Sequence, residues 1–133
     1  MPTLADRTNI VDPPVTAESQ VFWDSADTGR FLLKRCPSCG RHNWYPRDPC
    51  PFCPSPVTDW VEGAGTATIY TYSHFARAPQ PFVAAYVRLE EGPLMMTNIV
   101  GCDPGTLAIG QPVTLAFQRS VGGFAVPMFR PAD

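Results

Sequence analysis

Residues 36–53 read CPSCGRHNWYPRDPCPFC and contain two CxxC pairs separated by ten residues. In each pair the two thiolates sit on a tight turn and point to one side, so two pairs can complete a tetrahedron of sulfurs around one metal ion. Gly40 follows the first pair and can adopt the left-handed backbone conformation that leaves amides free to point at sulfur. The spacing therefore predicts a metal site whose four ligands are Cys36, Cys39, Cys50 and Cys53.

Zinc is the expected metal, in a closed structural site with no open coordination position and hence no Lewis-acid role. Iron is the second choice, because four-cysteine sites bind both metals and residues 36–45 resemble the first knuckle of rubredoxin. Rubredoxins, however, separate their two knuckles by a much longer segment. Two interpretations without a metal are weaker. Disulfides need an oxidising compartment, and a redox CxxC pair does not account for two matched pairs outside a βαβ pattern.

Composition divides the chain into three parts. Residues 1–34 are predicted to form a loose arm, up to residue 14, and then a helical hairpin. Thr16 would cap its first helix, and 30–34 would form a second short helix or a strand leading into the cysteines. Residues 35–60, the predicted zinc ribbon, are rich in proline and cysteine but poor in aliphatic residues, so metal ligation must replace a core there. Residues 61–133 have a β pattern.

Five segments rich in β-branched and aromatic residues follow Trp60 and are separated by turn signals. The segments are 66–73, 82–89, 94–100, 113–118 and 124–129. Their spacing predicts a small closed antiparallel barrel of the oligonucleotide/oligosaccharide-binding (OB) type. Gly63 and Gly65 would suit bulges that let a long first strand curl around the barrel. The expected fold class is therefore mainly β: short N-terminal helices, a rubredoxin-like zinc ribbon and a five-stranded OB-type barrel.

Composition and charge narrow the location and the partners. The chain has 133 residues, 44% of them hydrophobic, and no apolar run approaches the roughly 20 residues that span a bilayer. The N-terminus lacks the basic start and apolar stretch of a secretory signal, so a cytoplasmic protein is expected. The net charge is -2 and the arginines are scattered, which makes nucleic acid an unlikely partner because no basic run could neutralise phosphates.

Three side chains could carry chemistry, and none is predicted to do so. His42 lies inside the zinc loop, His74 ends the first barrel strand, and Cys102 is unpaired near the end of another strand. No Ser-His-Asp pattern, nucleophile elbow, carboxylate pair, dinucleotide motif or phosphate loop accompanies them. We expect His42 to be solvated or to hydrogen-bond a metal ligand, His74 to have a structural role, and Cys102 to be a buried thiol that behaves as a small hydrophobe. No catalytic residue is predicted, and the sequence indicates no residue for binding a cofactor other than the metal.

Aromatic residues surround both halves of the chain. Tyr70, Tyr72, Phe75 and Phe82 lie on the first two predicted barrel strands, where they could stack bases, fill the barrel or cover a partner. A place in the core or at an interface is the preferred interpretation. Three further rings, Trp44, Phe52 and Trp60, are expected to pack the zinc ribbon against the barrel.

The order of these features resembles one family. Phe22-Trp23 is followed by FLLKRCPSCGRHNWYPRDPCPFC (31–53), then by WVEGAGT (60–66), YTY (70–72), IGQPV (109–113) and a terminal PMFRP (127–131). This resembles the thiolase-associated proteins built from a rubredoxin-like zinc ribbon and an OB fold, the family known as domain of unknown function thirty-five. The resemblance covers residues 16–131. The zinc knuckles are generic among zinc ribbons, and their combination with the YTY strand and the terminal element is more specific.

The resemblance implies a subunit that supports acyl-CoA enzymes without catalysing a reaction alone. Relatives in the family partner thiolase-like proteins in acyl transfer, in isoprenoid or polyketide precursor synthesis, and in aldol cleavage of steroid side-chain CoA esters. A hetero-oligomer with a thiolase-like subunit, with a hydratase as a further partner, and a channel for acyl-CoA shaped in part by this chain are therefore expected. The alternatives are a single-stranded nucleic-acid-binding module, which should have a basic groove, and a rubredoxin-like electron carrier, which would be red with ferric iron.

Overall fold

The computed structural model describes residues 9–53 and 55–132. Over these residues the chain forms one short α-helix, one 3-10 helix and ten β-strands. In chain order they are α1 (Gln20–Ala26), β1 (Leu32–Arg35), β2 (His42–Asn43), β3 (Asp59–Glu62), β4 (Thr66–Phe75), β5 (Phe82–Leu89), β6 (Leu94–Ile99), the 3-10 helix (Pro104–Thr106), β7 (Pro112–Leu115), β8 (Gln118–Arg119), β9 (Ala125–Val126) and β10 (Phe129–Pro131). In this part of the chain no helix is long and apolar enough to cross a membrane.

The predicted helical hairpin is wrong in its second half. α1 begins at Gln20, after a turn in which the Ser19 amide donates to the Thr16 hydroxyl oxygen at 3.2 Å. The next segment is the strand β1, which pairs antiparallel with β3 in the register Leu33↔Val61. β1 is the central strand of its sheet, with β2 on one edge and the distant β3 on the other, and the local sequence did not reveal the pairing with β3.

The predicted loose arm is also wrong for its described part, and residues 1–8 lie outside the described residues. Ile10 is buried with Val100 and Met128, and its carbonyl accepts a hydrogen bond from the Val121 amide at 2.9 Å. One carboxylate oxygen of Asp12 accepts from the Ser120 hydroxyl at 2.6 Å and from the Gly122 amide at 2.7 Å. These contacts fasten the segment to the turn between β8 and β9.

Two sheets and a two-stranded ribbon make up the β-structure. β1, β2 and β3 form a small antiparallel sheet in the order β2-β1-β3. Five strands form a closed barrel in the order β10-β6-β5-β4-β7, and β10 also pairs with β7. The OB-type barrel is thereby confirmed, with one difference: β10 runs parallel to β6 through Phe129↔Ile99, so the barrel is not wholly antiparallel.

The last two predicted strands are divided differently in the structure. β7 ends at Leu115, and β8 and β9 pair with each other outside the barrel through Gln118↔Val126. Only Phe129–Pro131 closes the barrel. The continuous β pattern of 113–118 and 124–129 therefore spans two separate sheets.

The bulge lies in the first barrel strand, not at the glycines. The register of β4 against β5 shifts between Ile69 and Thr71, so Tyr70 is the extra residue. Gly63 instead allows close packing, since a Cβ there would lie 3.0 Å from the Phe31 ring. Gly65 has φ +77°, a conformation that other residues rarely adopt.

One hydrophobic core joins the barrel to α1 and to the three-stranded sheet that carries the cysteine ribbon. It contains Phe22 from α1 and Leu33 from β1 together with Ile69, Val83 and Phe129 from the barrel, all of them almost fully buried. The Phe31 ring meets the Phe129 ring edge-on at a centroid distance of 6.5 Å. Burial of such side chains contributes roughly 1.5–3 kcal/mol each, so the ribbon is held to the barrel largely by packing.

Candidate metal centre and surrounding surfaces

The four predicted ligand sulfurs meet at one place. The four Sγ atoms lie within 4.8 Å of one another. The Cys36–Cys53 pair is 3.5 Å apart and the Cys39–Cys50 pair 3.8 Å apart. A tetrahedral zinc ion with Zn–S bonds of about 2.3 Å requires sulfurs about 3.8 Å apart, so the sulfur positions fit this ion. The cysteines are free thiols, and their separations far exceed a disulfide bond of about 2.05 Å.

Backbone turns present the sulfurs to one point. Directly after β1, the Gly40 amide donates to the Cys36 carbonyl at 2.8 Å, and Gly40 has the expected left-handed φ of +77°. The Cys39 amide donates to Cys36 Sγ and the Phe52 amide to Cys50 Sγ, both at 3.4 Å. Amide hydrogen bonds of this kind favour thiolates over thiols. The knuckles are therefore shaped for charged sulfur ligands.

Two of the thiols, Cys36 and Cys53, have pKa values shifted in opposite directions. The Cys39 amide is the largest influence on Cys36 and lowers the pKa of that thiol to about 6. The Ser55 amide acts to lower the pKa of Cys53, but burial and the neighbouring sulfurs outweigh it and raise this pKa to about 12. Four adjacent thiolates repel one another unless a cation lies between them. A divalent metal would supply that charge, and binding it would release protons.

Lys34 supports the ribbon through contacts that no motif in the sequence indicates. Only 5% of this residue is exposed, and its Nζ lies 3.4 Å from Asp48, 3.2 Å from the Thr58 carbonyl and 4.3 Å from the centre of the Trp60 ring. The Thr58 hydroxyl, which hydrogen-bonds Asp48, is the main cause that lowers the pKa of this carboxyl, and Lys34 adds to the effect. The available signal was a lysine inside the apolar run FLLK.

The three candidate catalytic side chains lie in separate places. His42 lies half-buried on β2 opposite Arg35, and His74 lies exposed near the end of β4 opposite Val83. Cys102 is buried, and burial followed by the Asp103 charge raises the pKa of its thiol. His42 belongs to the three-stranded sheet, His74 to the barrel, and Cys102 to the segment that follows β6. The structure thus assembles no nucleophile–base pair from them.

The predicted aromatic residues divide between core and surface. Tyr72 packs against the core and donates its hydroxyl to the Leu107 carbonyl at 3.0 Å. Phe75 stacks on Phe82 with 4.9 Å between ring centres, and Phe75 is 48% exposed. Phe52 does not pack the ribbon against the barrel as expected. Its ring lies at the surface beneath the Arg41 guanidinium, 4.2 Å from the ring centre.

Trp44 and Trp60 do face the core. The Trp44 ring contacts the Phe22 ring at 5.0 Å between centres, and both tryptophans lie against the main core. An open groove of about 400 Å³ lies beside Trp44, where the ribbon meets the barrel, and its walls include Trp23, Tyr45 and Pro127. The junction of ribbon and barrel therefore combines a packed interior with an apolar outer rim.

Comparisons with known proteins agree with this architecture. The model of the ChsH2 rubredoxin-like zinc ribbon domain matches residues 23–59, and that of the ChsH2 C-terminal OB-fold domain matches residues 60–118. A probable enoyl-CoA hydratase alpha subunit of Thermomonospora curvata is 34% identical over 125 residues, which are 90% of this chain and 39% of that protein. A DUF35 domain-containing scaffold protein of Methanocaldococcus jannaschii is 34% identical over 92 residues, 64% of this chain and 65% of that protein.

A solved structure resembles most of this chain. A chain of the Ltp2-ChsH2(DUF35) aldolase superposes with a TM-score of 0.82 at 33% sequence identity, covering 92% of this chain and 100% of that chain. By contrast, this chain spans 39% and 65% of the lengths of the two relatives above. The family models, the complete coverage of the solved chain and the four-sulfur ribbon beside an OB barrel together show that this chain belongs to the DUF35 family of ChsH2-type zinc-ribbon and OB-fold proteins.

Proposed function

We propose that this chain is a non-catalytic accessory subunit that binds and supports a thiolase-like acyl-CoA enzyme, either an acyltransferase or an aldolase. The observation that carries the proposal is the likeness over the full length of a chain from the Ltp2-ChsH2(DUF35) aldolase. The M. jannaschii relative is named a scaffold protein, which agrees with a supporting role. The longer T. curvata relative is named as a hydratase subunit, so a hydratase is a second candidate partner.

The metal in this proposal is a structural zinc ion held by Cys36, Cys39, Cys50 and Cys53. Four thiolates fill a tetrahedral site and leave no position for substrate. The ion would fix the ribbon, whose residues between β1 and β3 contribute few side chains to the core. This explains why a segment that cannot bury its own hydrophobic surface still forms a defined structure.

Catalysis belongs to the partner in this proposal. His42, His74 and Cys102 lie apart, and the raised pKa of Cys102 keeps its thiol protonated near neutral pH. A thiolase-like partner would bring its own nucleophile and acid–base groups. This chain would bind and stabilise the partner. If the ribbon–barrel groove is continuous with the partner's active site, this chain would also form part of the wall that surrounds the CoA ester.

Co-expression tests the proposal. Each thiolase-like protein of the source organism would be produced with this chain, separated by size-exclusion chromatography with light scattering, and assayed for thiolysis and retro-aldol cleavage of CoA esters. We expect one stable complex, an inactive accessory chain, and a partner that is at least about tenfold less active alone, since ten-fold corresponds to about 1.4 kcal/mol. Activity of this chain alone, or no complex with any of these proteins, would overturn the proposal.

A further inference from the structure

The strand β5 separates its side chains cleanly between the interior and one outer surface. Val83, Ala85 and Val87 are buried in the barrel, so Phe82, Ala84 and Tyr86 point outwards. Across the ladder, Tyr86 lies opposite Met96 on β6, and Ala84 lies opposite Ser73 on β4. We call this surface the outer sheet face, and its central residues are Ser73, Phe75, Phe82, Ala84, Tyr86 and Met96.

The outer sheet face leaves large apolar side chains in solvent. Tyr86 is 45% exposed and its cross-strand neighbour Met96 is 65% exposed, with the stacked pair Phe75 and Phe82 at the far end. A contiguous exposed apolar patch on a monomer often marks an interaction site, whereas single exposed apolar residues are ordinary. Tyrosine, phenylalanine and methionine are also the side chains enriched in interface centres.

A shallow cavity lies at the centre of this face. Its volume is about 170 Å³. The small residues Ser73 and Ala84 form its floor, and Phe75, Tyr86 and Met96 surround it. A floor of small residues between larger ones can accept one projecting side chain of a partner, which is how interface anchors are seated. The surface is therefore shaped to receive a folded protein with an apolar projection.

The charges on the strands of this face have one sign, whereas Glu90 and Glu91 lie in the turn between β5 and β6, at one end of it. The chain contains 12 acidic residues, yet no Asp or Glu occurs from 63 to 89 or from 92 to 102, so β4, β5 and β6 have none. Arg77 lies exposed in the turn between β4 and β5, and Arg88 lies over the Tyr70 ring, 5.4 Å from its centre. An apolar centre with arginines at its edge is complementary to an apolar patch bordered by carboxylates.

The same charges disfavour nucleic acid as the occupant. Nucleic acid needs a row of cations along its phosphates. Here the cations lie at the margin, and the centre is neutral and apolar.

We infer that the outer sheet face is the surface on which the thiolase-like partner docks, and that the partner presents there an apolar projection bordered by Asp or Glu side chains. This inference rests on the proposed function and assigns to it a place on the molecule. Tyr86 and Met96 form the centre of the contact, and Arg77 contributes at its edge.

Calorimetric titration with the thiolase-like protein that binds the wild-type chain tests the inference. Tyr86→Asp and Met96→Asp, on different strands, are each expected to weaken binding at least about 30-fold, equivalent to roughly 2 kcal/mol. Arg77→Glu, in a turn where it leaves the barrel core untouched, is expected to weaken binding about threefold to tenfold and to reduce its salt dependence. Circular dichroism and zinc content confirm that each variant is folded.

Matched controls use equally exposed apolar residues elsewhere. Val121 is 69% exposed in the turn between β8 and β9, and Val57 is 57% exposed in the ribbon. Val121→Asp and Val57→Asp are expected to bind within about twofold of wild type, a difference of roughly 0.4 kcal/mol.

Each alternative outcome has a distinct meaning. If the wild type binds and folded Tyr86→Asp and Met96→Asp bind equally well, the docking face is refuted while the accessory function stands. If the wild type binds no thiolase-like protein, both proposals fail. A self-dimer that Met96→Asp separates, or a single-stranded oligothymidine bound by wild type and released by Tyr86→Asp, would assign the face to another occupant and overturn the inference.

Discussion

At the scale of single residues, the clearest constraint is the missing side chain of Gly122. Its amide donates to Asp12, and a Cβ at this position would collide with the same carboxylate. The neighbouring Gly123 has open space around it but a φ of +92°. The two glycines of one turn are therefore required for different reasons, close approach of a side chain at the first and backbone conformation at the second.

Gly122→Ala should lower the free energy of unfolding by about 0.5–1.5 kcal/mol, because the Asp12 carboxylate must move and lose a hydrogen bond. Urea denaturation of Gly122→Ala, Asp12→Ala and the double variant measures this. Asp12→Ala removes the colliding carboxylate, so the double variant should lose less stability than the two single losses added together. Gly123→Ala is the control, and its cost should not depend on Asp12. Strict additivity for Gly122 would contradict the steric explanation.

At the scale of elements, the sequence predicts those structures that are determined by residues close together in the chain. The CxxC pairs and the three long barrel strands are local patterns, and the structure has all of them. The segment 30–34 is harder to predict, because β2 pairs with only the last two residues of β1, and β3, which pairs along its whole length, lies more than 20 residues later. The parallel pairing of β10 with β6 and the docking of Ile10 depend on still more distant contacts, which no local pattern reports.

The four-sulfur element should bind one zinc ion per chain. Cys36→Ser is expected to lose the metal and to unfold the ribbon, because zinc binding of about 10–16 kcal/mol is coupled to folding in comparable peptides. Cys102→Ser is the control and should keep the full zinc content. Metal analysis by mass spectrometry and tryptophan near-UV circular dichroism provide the measurements. A red protein containing ferric iron, or normal zinc content in Cys36→Ser, would contradict this assignment.

At the scale of the whole molecule, the ribbon and the barrel share one core, so destabilising one is expected to destabilise the other. Phe22, Phe31 and Leu33 lie in the same cluster as the barrel residues. The four cysteines lie in the ribbon, whereas the outer sheet face lies on β4, β5 and β6 of the barrel. A loss of metal should therefore weaken partner binding indirectly, through the stability of the ribbon, without removing any residue of the outer sheet face.

His74 tests where the chemistry resides. It lies exposed near the end of β4, close in sequence to the outer sheet face. His74→Ala should leave kcat of the assembled enzyme within about threefold, since loss of a general acid or base typically costs a factor of 10²–10⁴. Steady-state kinetics of the reconstituted complex decide the question. A thousandfold loss would show that this chain contributes a catalytic group.

The closure of the barrel by β10 also has a consequence for biosynthesis. Phe129 pairs with both Ile99 and Leu115, so neither β6 nor β7 gains its second neighbour until residues 129–131 have left the ribosome. The ribbon and the β4–β5–β6 meander can form earlier from contacts nearer in sequence. During that interval the nascent chain exposes two unpaired strand edges, which stay open to pairing with other chains until residues 129–131 have emerged.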